Sequence, residues 1–145
     1  MKLSLAPISL DRYFDTDKDM RTILELTRDC GFTYIDYDIK QKYLEGDYIE
    51  HAERLKKNLA ELGMTAAQAH APIINPMNPG EVDYMEMYRR SLHFCQIVGI
   101  PQVVIHAGCV PENTKEEFME SNIAFYRSMI PFMEETGVMI LLENI

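Results

Sequence analysis

Basic charge is scarce in this sequence: 14 Lys and Arg stand against 23 Asp and Glu, a formal charge of −9 with histidine neutral. No Lys/Arg run is longer than a pair, Lys56-Lys57 or Arg89-Arg90. A chain of that balance repels a phosphate backbone, so no nucleic-acid partner is expected. Cysteine is also sparse. Cys30, Cys95 and Cys109 form no Cys-x-x-Cys pair, which argues against a disulfide framework or structural zinc knuckle and suits a reducing, cytoplasmic setting. No apolar run approaches the ~18 residues of a membrane span. The stretch Leu3 to Leu10 is broken by Ser4, Pro7 and Ser9 and closed by Asp11-Arg12, too short for a signal peptide, so no membrane partner is expected either. The turn Pro7-Ile8-Ser9-Leu10-Asp11 holds no glycine, which disfavours a phosphate cradle after the first strand.

What is present suits one packed domain, since 145 residues that are 47% hydrophobic can form a core. Four glycines punctuate the chain, each followed by an apolar residue: Gly31-Phe32, Gly63-Met64, Gly99-Ile100 and Gly137-Val138, spaced 32, 36 and 38 residues apart. Glycine just past a helix end adopts the left-handed backbone that closes the helix, so each is expected to hand a helix over to a strand. Asp47 with Glu50 reads as an N-cap with its acid partner, followed at helical spacing by Ile49, Ala52, Leu55, Leu59 and Leu62. Thr114 with Glu117 repeats the pattern ahead of Phe118, Phe125, Met129 and Phe132, with a kink expected at Pro131. Thr16 with Asp19, and the stretch Pro79 to Asp83, resemble starts of two further helices.

Between them lie five short runs apolar on both faces: Lys2 to Ala6, Thr33 to Asp38, Thr65 to Ala71, Gln102 to Ala107 and Val138 to Glu143. Such strands alternating with helices predict an α/β fold of five parallel strands and four helices. Each strand end delivers polar chemistry: Asp36 and Asp38, then His70, then His106, then Glu143. The steps from His70 to His106 and on to Glu143 are 36 and 37 residues, so they track the repeat. Carboxyl ends of parallel strands share one rim, where ligands bind, and two imidazoles with a carboxylate suit zinc, manganese, cobalt or iron. A lone strand-end histidine is more often bonded to backbone, but a charge following Val138-Met139-Ile140-Leu141-Leu142 is costly to bury unpaired. His51 and His93, among helix charges, read as solvated or capping. Met85, Met87, Met129 and Met133 read as fillers between helix and sheet, and Cys109 as an inert thiol.

Ala69-His70-Ala71-Pro72, Val103-Val104-Ile105-His106-Ala107-Gly108 and Leu141-Leu142-Glu143-Asn144, with Gly31-Phe32 before an acidic second strand, resemble the xylose isomerase-like TIM barrels. That superfamily holds sugar phosphate isomerases/epimerases and endonuclease IV. The resemblance implies a divalent metal (Mn, Zn, Co or Mg) with Glu143 as a ligand and, in the epimerase branch, part of an acid/base pair, while His70 and His106 resemble further metal ligands in the endonuclease branch and substrate contacts in the sugar branch. It implies that Asp36, His70 and His106 contact a small carbohydrate. The implied reaction is proton transfer next to a carbonyl through an enediolate.

A barrel of this kind uses eight strand–helix units in about 250 residues. The chain, residues 1–145, is therefore expected to be the N-terminal portion of a partial (β/α)8 barrel, incomplete at its C-terminus and inactive alone. Its open sheet edges would expose Ile140 and Val104 and permit homo-oligomers. A flavodoxin-like doubly wound sheet is the alternative fold, and strand order separates the two: 1-2-3-4-5 for the barrel arc, 2-1-3-4-5 for the other. An abasic-site endonuclease like endonuclease IV is an alternative function, disfavoured by the acidic charge. A non-catalytic half-barrel or truncated product is the third.

Overall fold

A computed structural model describes residues 3–10, 13, 19–77 and 83–143. Thr16, Pro79 and Asn144 lie outside the described residues, as does Lys2. The strands are β1 (Ser4–Leu5), β2 (Tyr34–Asp38), β3 (Thr65–His70), β4 (Gln102–His106) and β5 (Met139–Glu143). The helices are α1 (Met20–Asp29), α2 (Gln41–Glu45), α3 (Tyr48–Leu62), α4 (Tyr84–Val98) and α5 (Lys115–Thr136), and a 3₁₀ turn at Pro7–Leu10 follows β1. Among the described residues there are five α-helices where four were expected. The additional one, α2, spans only five residues, too few for apolar periodicity to register.

All strand pairs are parallel and the order is β1-β2-β3-β4-β5. Sequential order is that of a barrel arc and excludes the doubly wound alternative. Helix starts follow the sequence closely. Asp47 and Asp83 accept the backbone N–H groups of Glu50 and Glu86, and Thr114 with Glu117 forms a reciprocal capping box. Helix α5 runs unbroken through Pro131. At the other ends, Gly31, Gly63, Gly99 and Gly137 are the described residues with positive φ. At Gly99, φ is +90°, a conformation that suits glycine, and its N–H bonds the Cys95 carbonyl to close α4.

The core lies between the sheet's outer face and the helices, where Ile35, Tyr37, Ala69, Val103 and Ile105 meet Leu24, Leu55, Tyr88, Leu92 and Phe94. Met87 and Met129 are buried in it, as expected. Cys95 is buried there too, which pushes its thiol's pKa well up, whereas Cys30 and Cys109 are exposed free thiols.

Three expectations fail here. His51 is 7% exposed, not solvated: its Nε2 lies 2.8 Å from the Tyr37 hydroxyl and its ring stacks on Tyr43 at 3.9 Å. Val104 is 6% exposed even though its strand faces the inner side of the arc. Ile140 pairs with Val103 and packs against the core on the helix side, so the open edge instead exposes Met139 and Leu142, at 56% and 60%. His93 is half-buried and lies 3.0 Å from the Tyr48 hydroxyl through Nδ1.

Candidate metal centre at the carboxyl ends of the strands

Side chains alternate along a strand, so register decides which residues look inward. In β2, Ile35 and Tyr37 pack into the core, which turns Asp36 and Asp38 to the opposite, inner face. Simple alternation from the core residue Ala66 would point Gln68 and His70 into the core as well. The ladder prevents this: Ile35 pairs with Ala66 but Asp36 pairs with Gln68, leaving Ala67 as an extra residue in a bulge. The bulge resets the alternation, so Ala66 and Ala69 both pack outward while Gln68 and His70 join Asp36 and Asp38 inside. In β4 and β5, core-facing Val103 and Ile105 leave Val104 and His106 inward, and His106 is the direct register partner of Glu143.

The inner face therefore gathers the expected residues. One ligand atom from each of His70, His106 and Glu143 lies within 4.8 Å of the others. Glu143 Oε2 is 3.0 Å from His106 Nε2 and 3.6 Å from His70 Nε2. Asp36 stands behind His70, with Oδ1 3.1 Å from Nδ1, and its other oxygen accepts from the Gln68 amide at 2.5 Å. Because a carboxylate only accepts, His70 donates from Nδ1 to Asp36, and its Nε2 lies on the side of Glu143. By the same reasoning His106 donates from Nε2 to Glu143, which leaves its buried Nδ1 without a hydrogen-bond partner. Beside the cluster an open pocket of about 470 Å³ is lined by Asp38, Lys40, His70, Pro72, Ile73 and His106. Asp38, not Asp36, is the acidic residue on its wall. Sequence reasoning passed over Gln68, whose role arises from the bulge and from no motif.

Could these residues hold a divalent ion? Two imidazoles and one carboxylate form the donor set of open zinc-type sites, and a carboxylate fixing a ligand histidine through its other nitrogen is the usual support for one. The residues fit. A cation at the cluster would take the place of the proton that His106 Nε2 shares with Glu143.

A sequential parallel sheet with titratable side chains gathered at its carboxyl rim defines the chain as part of a barrel of the (β/α)8 type. It belongs to the xylose isomerase-like TIM barrel family, whose model matches residues 24–145. No curated protein matches the sequence. Among solved structures, the IOLI protein with a bound zinc atom is 22% identical with a TM-score of 0.74, covering 100% of this chain and 52% of that one. The 3-keto-D-glucoside 4-epimerase YcjR from E. coli is 15% identical at TM-score 0.74, over 98% of this chain and 55% of its own. A sugar phosphate isomerase/epimerase from Parabacteroides distasonis is 16% identical at TM-score 0.70, over 99% and 51%. The chain thus spans about half the length of the structures it resembles.

Proposed function

We propose that His70, His106 and Glu143 supply part of the coordination of a catalytic divalent cation in a sugar isomerase or epimerase, and that this chain alone does not turn over. The carrying observation is that ligand atoms from three adjacent strand ends lie within 4.8 Å of one another, with Asp36 fixing one imidazole from behind. The zinc in the IOLI structure and the epimerases and isomerases among the structural neighbours support the reading.

When bound, such an ion polarises a substrate carbonyl or hydroxyl as a Lewis acid. The chain's own residues do the rest. His70 and His106 belong both to the cluster and to the wall of the adjoining pocket, where a small carbohydrate would lie against Asp38 and Lys40. Glu143, half exposed beside them, would serve as one member of the acid/base pair that moves the proton at the carbon next to the carbonyl. A positioned acid or base of this kind contributes ~10² to 10⁴ in rate. The charge of −9 sets the endonuclease reading behind this one, since phosphate contacts need basic residues at the rim.

Titration with Zn²⁺ or Mn²⁺, followed calorimetrically, tests the proposal. One ion per chain, lost in a His70→Ala/His106→Ala double variant, is the expected result. No uptake, or uptake that the double variant keeps, overturns it. Cleavage of an abasic duplex by the metal-loaded chain would overturn both the sugar reading and the inactivity of the chain alone.

A further inference from the structure

The two histidines of the cluster are held by different means. His70 is oriented through its side chain, by Asp36, which Gln68 holds in turn. His106 has no such polar support: its Nδ1 is buried without a hydrogen-bond partner, so beyond its contact with Glu143 its ring direction depends on packing and on where its backbone is held.

That backbone is gripped from one face of α5. Tyr126 donates its hydroxyl to the His106 carbonyl at 2.9 Å and, more weakly, to the Ile105 carbonyl at 3.2 Å. One turn earlier, buried Asn122 accepts the Gly108 N–H at 2.9 Å and donates to the Gly108 carbonyl at 2.8 Å, with a further bond to the Phe118 carbonyl. On the next residue Asn75 repeats the pattern, accepting from the Cys109 N–H and donating to its carbonyl. Gly108 is pressed so closely against Pro76 and Met77 that a Cβ there would come within 2.6 Å of each. Burial pushes the Tyr126 hydroxyl up to about 12, so it remains a donor at any ordinary pH.

We infer that Tyr126 and Asn122, four residues apart on α5, are positioning residues that set His106 against Glu143 by clamping the backbone on either side of Ala107. The inference rests on the cluster being a ligand site only in its affinity readout; the tautomer readout stands without it.

The test compares Tyr126→Phe and Asn122→Asp with wild type and with Ser128→Ala. Ser128→Ala also deletes a hydroxyl bond on α5, to the Phe125 carbonyl, but removes none of the bonds to the backbone of residues 105–109. Two-dimensional ¹⁵N spectra of the histidine rings in the metal-free chain report tautomers, and Zn²⁺ competition reports affinity. In wild type His106 is expected in the Nε2–H form. Tyr126→Phe and Asn122→Asp are expected to mix its tautomers, leave the His70 signals in place and weaken Zn²⁺ binding about tenfold, as loss of an outer support typically does. Ser128→Ala is expected to change neither readout. His106 signals and affinity unchanged in Tyr126→Phe, or changed equally by Ser128→Ala, overturn the inference. If wild type takes up no Zn²⁺ the metal proposal falls, while the tautomers still decide the positioning role.

Discussion

Glu143 faces His106 across the β4–β5 ladder as its register partner, and their side chains meet at 3.0 Å on the inner face. The contact is made by neighbouring strands, so little has to move for both to address one ion. Glu143→Gln keeps the shape and removes the charge. It is expected to weaken Zn²⁺ uptake by more than the ~10- to 100-fold typical of losing an outer support. Because Glu143 is half exposed, unfolding stability should stay within about 0.5 kcal/mol of wild type in urea. Unchanged uptake would place the ion elsewhere.

Asp36 acts one layer behind. Asp36→Asn replaces a charged acceptor of the His70 Nδ1 proton with a neutral one, and competition titration should show affinity down about tenfold. Asp36→Ala should in addition lose about 1–3 kcal/mol in urea, because His70 and Gln68 are left with unmet donors. A full-affinity Asp36→Ala would contradict its supporting role.

At Gly108 the limit is space. An added Cβ would meet Pro76 Cγ and Met77 Cγ at 2.6 Å, and the proline ring cannot yield as a flexible chain could. Gly108→Ala is expected to cost about 1–3 kcal/mol in chemical denaturation. Wild-type stability in this variant would show that the two loops separate freely.

The start of α5 gives a pH signature. The Thr114 N–H and hydroxyl hold the Glu117 carboxyl below its ordinary range. A carboxyl lowered by folding stabilises the fold in full above its unfolded pKa, and that contribution fades as pH falls through the lowered value. Urea midpoints taken from neutral pH into the carboxylate range should therefore fall more steeply for wild type than for Glu117→Gln. Separately, Thr114→Ala should cost about 1 kcal/mol at neutral pH through loss of the N-cap.

Much of this molecule is written locally in its chain. Gly31, Gly63, Gly99 and Gly137 end helices because left-handed backbone favours glycine, and Asp47, Asp83 and Thr114 begin them because their oxygens reach orphan N–H groups. His70, His106 and Glu143 were legible as a set because their spacing equals the repeat, and the register brings them to one face. What was illegible depends on contacts distant in sequence. Helix α2 is too short to carry a period. Burial of His51 follows from Tyr37 and Tyr43 closing over it. Neither Tyr126 nor Asn122 belongs to a motif, and each takes its meaning from a carbonyl or amide 14 to 21 residues away.

The unpaired Ala67 has a wider consequence. Along an uninterrupted strand, what lies beneath dictates what shows above, because odd and even positions are tied together. One additional residue unties them. Ala66 before it and Ala69 after it can both serve the hydrophobic interior while Gln68 and His70 display chemistry, an assignment that strict alternation along the strand would forbid.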